Sequence, residues 1–472
     1  MDYLNEKREC RFAGKCGACQ TLNLTYDREL SMKMKKVITL LGRFGHVEEI
    51  IPMERPLNYR NKVQYLMKYN GGRVNFGLYR SSDGGIVSVD NCMMEDREAS
   101  AVCRTVRRML DKYHLTVYDG RRGLIRHVMA RRGFATGEIL CAIVTAEGDF
   151  PNAAEFAADL AQRHPNVKSV SRILNTTDTP LWMNGEETVL YGDGFITDIL
   201  CGCTFRISAK SFYQINPVQT EVLYNTAVNF AKITEKDHIL DAYCGIGTVG
   251  IIAAKRGCAS LTGFDVNADA VEDAKRNAEL NGISAEYLCA NDKTFEGKNR
   301  KHMDVIFADP PRAGCEKRFL QFVLHQNPER FVYISCNPET LARDLAFMKQ
   351  GGYSVKKIQP VDMFPGTGHV ETVVRMSRKM PDDRIDIDLH LDEVDTTSAE
   401  AKATYEEIKE YVLRTHGLNV STLYISQIKR KLGLEVGKSY NQAKSDHAKV
   451  PHCPKDKENA IVDALSHFEM IK

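Results

Sequence analysis

The stretch His238-Ile-Leu-Asp-Ala-Tyr-Cys-Gly-Ile-Gly-Thr-Val-Gly250 decides the fold of this chain. It begins with apolar residues typical of a buried strand and continues into a glycine turn, Gly245-x-Gly247-x-x-Gly250, that opens a helix. A strand that passes through such a turn into a helix is the first unit of a doubly wound α/β sheet. Nicotinamide-dependent enzymes use the same glycine spacing, so a dinucleotide-binding enzyme is one interpretation.

Acidic residues stand on this strand and at the ends of the next two. Asp241 lies four residues before Gly245, where a carboxylate can face an ammonium group. Asp265 ends the strand 260–265, 20 residues after Gly245, where a carboxylate can accept both hydroxyls of a ribose. Asp292 follows the next strand and is placed to meet an adenine amino group. These positions serve NAD and S-adenosylmethionine alike.

Two later strands end at a rigid carboxylate and at a cysteine. The first runs into Asp309-Pro-Pro-Arg312, where the prolines hold Asp309 at the sheet edge. Arg312 argues against methylation of an exocyclic amine, since amino-methyltransferases have an aromatic residue there. The second, 331–335, stops at Cys336, where a helix begins. Because a helix N-terminus favours a thiolate, Cys336 is a candidate nucleophile with a lowered pKa; a buried strand-end cysteine is the alternative.

The last two strands, 353–363 and 370–376, flank a glycine-containing loop, and Glu371 starts the second of them. In an alternating α/β sheet closed by an antiparallel pair, Glu371 would lie near the end of the Cys336 strand. This arrangement is similar to that of class I (Rossmann-like) S-adenosylmethionine methyltransferases. We therefore predict an α/β fold of that class for residues 191–380.

The composition sets wider bounds on the protein. With 472 residues, 43% of them hydrophobic and 27% charged, the chain predicts two to four globular domains. The net charge of +2 means that any nucleic-acid surface is local. No apolar run approaches the ~18 residues that span a bilayer, and the N-terminus has no signal-peptide pattern. We expect a cytoplasmic protein without a membrane partner, whose cysteines are mostly reduced.

Cysteines cluster at the N-terminus as Cys10-x5-Cys16-x2-Cys19, among small residues that allow tight folding. A fourth ligand is needed, and Cys92 is the best candidate. Four thiolates suit zinc or an iron–sulfur cluster, and the spacing does not choose between them.

Residues 57–190 predict a separate α+β domain with a hairpin around Asn70-Gly-Gly72 and an amphipathic helix from 99 to 113. Arginines with interleaved tyrosines can track a phosphate backbone and stack bases. We interpret the domain as RNA-binding; a solvated face is the alternative. The residues concerned are Arg104, Arg107, Arg108, Arg121, Arg122, Arg126, Arg131 and Arg132, with Tyr59, Tyr65, Tyr69 and Tyr79.

Beyond residue 380 the chain predicts an acidic linker with a short strand at 381–397, followed by helices at 399–415, 421–432 and 458–468. The first two helices are separated by a short turn and resemble a helix-turn-helix. They are candidates for RNA contacts, and a docking module is the alternative.

Five features in order resemble the RNA uracil-C5 methyltransferases over residues 10 to 378, with the iron–sulfur-containing bacterial 23S ribosomal RNA branch closest. They are Ser335-Cys-Asn-Pro338, Asp309-Pro-Pro-Arg312, His369-Val-Glu371, Ser211-Phe-Tyr-Gln-Ile-Asn216 and the cysteine spacing. Two departures stand out. Because the sequence opens on the cysteine cluster, we expect no small N-terminal RNA-binding barrel of the kind that many members have, and Thr248 stands where ribosomal members often have Asn.

The resemblance implies roles for individual residues. Cys336 matches the nucleophile and Glu371 the general base, and Asp309 also matches a contact to the target uracil. It implies a [4Fe–4S] cluster held by Cys10, Cys16, Cys19 and Cys92. Its S-adenosylmethionine pocket matches Gln214, Tyr243, Asp265, Asp292 and Asp309, to which we add Asp241, Gly245 and Thr248.

The implied organisation is an iron–sulfur segment (1–56), a central α+β RNA-binding domain (57–190), a class I methyltransferase domain (191–380), the acidic linker (381–397) and a helical extension (398–472). The expected enzyme is a monomer that acts in ribosomal RNA processing, forming 5-methyluridine in 23S ribosomal RNA. The alternatives are a tRNA uracil-C5 methyltransferase, an RNA cytosine-C5 methyltransferase and, more remotely, a non-catalytic RNA-binding assembly factor.

Overall fold

The computed structural model describes residues 8–70, 73–89, 91–176, 183, 185–298, 301–378, 405–432, 434, 453–468 and 470. The chain divides into two compact units, Met1–Asp383 and Arg384–Lys472. The predicted linker 381–397 and the glycines of the predicted hairpin turn lie outside the described residues.

The first unit contains two seven-stranded sheets and one two-stranded sheet. The strands are β1 (Lys62–Asn70), β2 (Arg73–Tyr79), β3 (Ile86–Ser88), β4 (Ile125–Arg132), β5 (Ile139–Thr145), β6 (Val167–Leu174), β7 (Glu186–Tyr191), β8 (Phe195–Leu200), β9 (Cys203–Ser208), β10 (His238–Ala242), β11 (Ser260–Asp265), β12 (Ala285–Cys289), β13 (Val305–Ala308), β14 (Arg330–Ser335), β15 (Tyr353–Val361) and β16 (Glu371–Arg378).

The helices connect or cover these strands. They are α1 (Tyr26–Leu41), a 3-10 turn (Gly42–Phe44), α2 (Arg97–Lys112), α3 (Ala153–Arg163), α4 (Pro217–Ala231), α5 (Thr248–Ala254), α6 (Ala268–Leu280), α7 (Asp292–Lys298), α8 (Lys317–Gln326) and α9 (Pro338–Gln350), with α10 (Tyr405–His416), α11 (Thr422–Lys431) and α12 (Lys455–His467) in the second unit.

The C-terminal sheet of the first unit has the strand order β12-β11-β10-β13-β14-β16-β15. The first five strands in this order are parallel, whereas β16 runs antiparallel to both of its neighbours. The central strands are fully buried because helices cover both faces. This is the class I methyltransferase topology, and it confirms the predicted α/β fold.

The N-terminal sheet has the order β3-β2-β1-β4-β5-β6-β7. One face packs on α2 and α3 through residues such as Val128, Ile143 and Phe156. The other face contributes Met129 and Leu140 to the core that also contains the helices of the C-terminal sheet. Strand β5 therefore buries both faces, which fits its fully buried run of seven residues.

Buried polar groups attach helix α1 to residues near the C-terminal end of the first unit. The Tyr26 hydroxyl donates to Asp362 at 2.6 Å, and Lys33 Nζ donates to Asp362 and to Glu29, each at 2.6 Å. The side chains of Lys33, Glu29 and Asp362 are fully buried. Glu29 also accepts from the Gly366 backbone at 2.8 Å, so α1 holds the loop between β15 and β16.

The described residues of the second unit form three helices around a small apolar core. Ile408, Val412, Ile425, Ile461 and Leu465 are all buried. The three predicted C-terminal helices are confirmed within about one turn at each end of their described parts. Within the described residues, no helix is both long and apolar enough to cross a membrane.

Candidate active site

Four strand ends of the class I sheet bring the predicted carboxylates and Cys336 to one edge. The parallel register pairs Asp241 with Phe307 and Ala242 with Ala308, so Asp309 follows directly beside the end of β10. Strand β14 lies next to β13 and ends at Ser335, one residue before Cys336. The carboxyl ends of parallel strands form the ligand-binding edge of open α/β sheets.

The glycine turn after β10 is held by two of these carboxylates. Asp265 Oδ2 accepts from Gly245 N–H at 3.0 Å, and Asp241 Oδ2 accepts from Gly250 N–H at 2.8 Å. Gly250 cannot carry a side chain, because a Cβ there would lie 2.7 Å from Asp241 Oδ2. Tyr243 adopts a left-handed backbone with φ of 61°, which is strained for a non-glycine residue and bends the chain into the turn.

The remaining predicted cofactor residues surround this turn. The Tyr243 hydroxyl donates to Asp292 Oδ2 at 3.2 Å, and Asp292 begins α7. Burial raises the pKa of Asp292 to about 6. Gln214 is buried, and its backbone carbonyl, which accepts from Asn61 Nδ2 at 3.1 Å, fixes its position.

Tyr224 on α4 joins this group, although the sequence analysis did not identify it. Its buried hydroxyl interacts with the side chains of Gln214 and Thr248, and it lies close enough to Asp309 for that carboxylate to raise its pKa further, after burial. Tyr224 stands in a helix with no recognisable motif around it, so only the three-dimensional arrangement identifies it.

Glu371 lies opposite Cys336 at the end of an antiparallel pair. Strand β14 pairs with β16 through Ser335 and Thr372, so the next position brings Cys336 beside Glu371. Glu371 is 2% exposed, and Cys336 is half-buried. Burial, together with the nearby charge of Asp309, raises the pKa of Glu371 well above its ordinary value.

The Cys336 thiol has a raised pKa, so the prediction of a lowered pKa is wrong for the free protein. Burial is the main cause, and the charges of Glu371 and Asp309 add to it, giving a pKa of about 11. Arg312 lowers the pKa but does not outweigh the other effects. Helix α9 does begin at Pro338 as predicted, but desolvation and two neighbouring carboxylates exceed the stabilisation that its N-terminus gives a thiolate.

Arg312, held by a neutral His369, supplies the positive charge of the site. Arg312 Nη2 and His369 Nε2 are 3.1 Å apart, and burial followed by the charge of Arg312 lowers the pKa of His369. A neutral His369 accepts the hydrogen bond and orients the guanidinium, whose charge opposes the raised pKa of both Cys336 and Glu371. From the sequence, Arg312 was predicted only to disfavour amine methylation, although its position after the rigid prolines also indicates this role.

Comparisons with known proteins identify the family of this chain. Residues 201–379 match the family model described as tRNA (Uracil-5-)-methyltransferase. An RNA methyltransferase of Bacillus cereus is 38% identical over 78% of this chain and 83% of its own, and one of Caldanaerobacter subterraneus is 38% identical over 78% and 84%. The chain belongs to the RNA uracil-C5 methyltransferase family.

A solved structure adds the cofactor of this uracil-C5 methyltransferase. The tRNA (uracil-54, C5)-methyltransferase of Pyrococcus abyssi, in complex with S-adenosyl-L-homocysteine, matches with a TM-score of 0.66 and 30% identity over 76% of this chain and 86% of that one. The protein is therefore an S-adenosylmethionine-dependent RNA methyltransferase, and the nicotinamide and non-catalytic interpretations are excluded.

The four N-terminal cysteines of the methyltransferase line one cavity of about 30 Å³, the residues being Cys10, Cys16, Cys19 and Cys92. All four are free thiols. Within the described ranges, no three His, Cys, Asp or Glu side chains converge closely enough to hold one metal ion. The cysteine loop is fixed to the N-terminal sheet, since Ser81 N–H donates to the Lys15 carbonyl at 3.1 Å.

The basic and aromatic surface predicted for residues 57–190 is only partly present on the N-terminal sheet. Tyr59 and Tyr65 are 1% exposed and cannot stack on bases. Arg131 is also 1% exposed and donates to the carbonyls of Ser208 and Ser211 at 3.1 and 2.8 Å. These three residues were wrongly placed on the surface. Tyr65 on β1 and Arg131 on β4 lie on inner strands of the sheet. Tyr59 packs in a separate apolar cluster, where its hydroxyl donates to the Pro365 carbonyl at 2.8 Å.

Proposed function

We propose that this enzyme methylates C5 of a uridine in 23S ribosomal RNA through a covalent adduct with Cys336. The observation that carries the proposal is the pairing of β14 with β16, which sets Cys336 opposite Glu371. Asp309 and Arg312 both influence the pKa of the same thiol, so they lie beside the position that a base must occupy.

The uracil ring needs a nucleophile and a base because its C5 is a poor nucleophile. The Cys336 thiolate adds to C6, which gives C5 enolate character, and C5 then takes the methyl group from the sulfonium of S-adenosylmethionine. Glu371 removes the C5 proton, the C5–C6 double bond reforms and the thiolate leaves. Glu371 acts as the base in its ionised form, and because its pKa is raised, that form is a stronger base than an exposed carboxylate; the proton it takes from C5 passes to solvent before the next turnover.

The high pKa of the Cys336 thiol gives the substrate a role in activation. In the free enzyme the thiol keeps its proton, which limits side reactions of a half-buried cysteine, and it releases that proton to solvent when its sulfur adds to C6. The target base must leave its stack to enter the site. Asp309 is placed to hydrogen-bond the base there, and its own pKa of about 7, raised by burial, lets it donate or accept that bond near neutral pH.

The cofactor pocket is assigned to the groups around the glycine turn. Asp265 is placed for the ribose hydroxyls and Asp292 for the adenine amino group. The geometry in their favour is the shared edge of the sheet and the Tyr243–Asp292 hydrogen bond of 3.2 Å. Asp241 faces the methionine ammonium with the carboxylate that also holds Gly250.

Cofactor affinity is expected to weaken as the pH falls. Burial raises the pKa of Asp241 and of Asp309 to about 7, so both take up a proton below that pH and lose the charge that attracts the sulfonium and ammonium groups. Each proton that must leave costs up to roughly tenfold in affinity per pH unit below the pKa. Calorimetric titration with S-adenosylmethionine from about pH 8.5 to about pH 6 measures this dependence.

The matched control for this dependence is Asp241→Asn, which keeps an oxygen acceptor for Gly250 N–H but cannot titrate. The variant should bind more weakly at high pH and lose part of the slope. Equal affinity of the original enzyme at both ends of the pH range would contradict the assignment.

The choice of 23S ribosomal RNA rests on the four cysteines. They share a cavity, as expected for the iron–sulfur-containing branch that the sequence resembles. A tRNA substrate is the second candidate, because the matched family description and the Pyrococcus abyssi structure both name tRNA. Cytosine methylation is disfavoured, since Cys315 is 4% exposed and its thiol interacts with the side chains of Tyr243 and Tyr333 instead of lying open to a substrate base.

Tritium release from C5-tritiated RNA tests the function and the target together. With S-adenosylmethionine, the enzyme should release tritium from uridine in 23S ribosomal RNA, and a tRNA transcript should release little. Release from tRNA alone would replace the ribosomal target. Release from cytidine, or none from any RNA, would refute uracil-C5 methylation by this chain.

We also propose that the cysteine cavity holds a [4Fe–4S] cluster. In such a cluster each thiolate binds a different iron atom, so the four sulfurs surround the cluster instead of meeting at one ion. Protein purified without oxygen should contain about four iron and four sulfide per chain and absorb broadly near 400 nm. Cys92→Ser should lose most of the iron, whereas Cys289→Ser, an exposed cysteine elsewhere, should retain it. A zinc-loaded, colourless protein would contradict the cluster.

A further inference from the structure

A groove of about 640 Å³ lies between residues 10–19, here called the cysteine segment, and helix α2. None of the residues that line it belongs to the catalytic edge. Five of its described lining residues are cationic, and no described lining residue is acidic. These cations are Arg11, Lys15, Arg104, Arg107 and Arg108. The whole chain has a net charge of only +2, so this is a local concentration of positive charge.

Helix α2 supplies one wall of the groove. Arg104, Arg107 and Arg108 are spaced i, i+3 and i+4, so they share one face of the helix with Cβ atoms about 5–6 Å apart. Arg107 and Arg108 are exposed, and each donates a hydrogen bond to a neutral group, Arg107 to the Val74 carbonyl at 3.5 Å and Arg108 to Thr105 Oγ1 at 2.9 Å. The opposite face of α2 is buried in the core, so the row of guanidinium groups has a rigid support.

The cysteine segment supplies the other wall. A turn in which Lys15 N–H donates to the Phe12 carbonyl at 3.0 Å presents Arg11, Phe12 and Lys15. The Arg11 guanidinium lies over the Phe12 ring, 4.8 Å from its centroid. Phe76 forms a buried floor. The turn is fixed to the loop after β2 by the hydrogen bond from Ser81 N–H to the Lys15 carbonyl, so both walls are attached to the N-terminal sheet.

These features fit a phosphate backbone. Guanidinium groups bind phosphate oxygens in pairs, and a row of them along a groove matches the repeating charge of a nucleic acid strand. Phe12 is half-buried and leaves part of its ring accessible to a base. The enzyme belongs to a family that acts on RNA, so the polyanion that it meets is its substrate.

We propose that this groove binds the sugar–phosphate backbone of the RNA substrate at a point separate from the target uridine. The inference deepens the proposed function and rests on it in taking the same RNA as ligand. It gives the cysteine segment a defined task, since that segment builds one wall of the groove and does not line the catalytic edge.

The test is the double variant Arg107→Glu/Arg108→Glu, compared with Arg28→Glu/Lys35→Glu, which makes the same charge change on the exposed face of α1. RNA affinity is measured over about 50–300 mM salt with a 23S ribosomal RNA fragment. The groove variant should bind RNA at least about tenfold more weakly. Its plot of log affinity against log salt should become shallower, with the magnitude of the slope reduced by about 1–2. The α1 variant should keep the original affinity and slope. Both should bind S-adenosylmethionine as the unmodified enzyme does, which reports intact folding.

The milder pair Arg107→Gln/Arg108→Gln replaces the first variant if that one fails to bind the cofactor, and a weaker loss in the same direction is expected. An unchanged salt slope in a folded groove variant, or an equal loss of RNA affinity in the α1 variant, contradicts the proposed binding of RNA by the groove. Tritium release separates this outcome from failure of the proposed function. Failure of uracil methylation would abolish release by the unmodified enzyme, whereas failure of the groove alone would leave release and RNA binding intact in the variants.

Discussion

Cys336→Ala is expected to reduce methyl transfer by about 10⁴-fold or more while the binding of RNA and cofactor survives. Without the thiolate, C6 is not attacked and C5 stays too weak a nucleophile to accept the methyl group. The substitution removes a single sulfur from a half-buried position that follows a strand end, so the sheet should remain folded. Tritium release under single-turnover conditions measures the loss, and calorimetry with S-adenosylmethionine reports the retained binding.

The control is Cys289→Ala, which removes an exposed cysteine at the end of β12 and should leave the rate unchanged. A Cys336→Ala enzyme that retained more than about a tenth of the original rate would end the covalent mechanism, because no other described cysteine lies opposite Glu371.

Glu371→Gln is expected to stop the reaction one step later and to trap the covalent protein–RNA adduct. The thiolate can still add and the methyl group can still transfer, but the amide cannot take the C5 proton, so resolution should slow by about 10²–10⁴-fold. The trapped species should migrate slowly in a denaturing gel and carry methyl-labelled RNA. The amide is isosteric and neutral, so the buried position opposite Cys336 tolerates it.

Two comparisons make this result specific. Glu339→Gln changes an exposed carboxylate on α9 and should give normal turnover with no adduct. The double variant Cys336→Ala/Glu371→Gln should give no adduct at all. If Glu371→Gln released methylated RNA at the original rate, another group would have to be the base.

Local signals predicted much of the fold. The bounds of α6 follow from such signals, because Asn267 caps its start, accepting from Asp269 and Ala270 N–H, and Asn281-Gly282 ends it. Helix α1 was not predicted, since its buried face includes Glu29 and Lys33. Those charges look like surface residues until their partner is known, and that partner, Asp362, is more than 300 residues away.

In the candidate site, too, some features could be predicted from the sequence and others only from the folded chain. The carboxylates at strand ends follow from the alternation of strands and helices, which fixes one edge of the sheet. The raised pKa of Cys336 and the contribution of Tyr224 depend on burial and on neighbours that only the folded chain brings together. Arg131 illustrates the opposite error, because an arginine among arginines indicates a surface, whereas here its guanidinium donates to two buried carbonyls.

The hydrogen bond from Tyr26 to Asp362 spans 336 positions of the chain, and this separation delays folding of the N-terminal segment during synthesis. At the usual 5–20 residues per second of protein synthesis, helix α1 leaves the ribosome roughly 20–70 s before its partner does. During that time Lys33 and Glu29 lack the carboxylate that later completes their network, and the cysteine segment before α1 lacks the Gly366 loop, whose carbonyl accepts from Gln20 at 2.9 Å. Nascent chains stopped before residue 362 should therefore leave the N-terminal segment sensitive to protease, and protection should appear only when β15 and β16 have emerged.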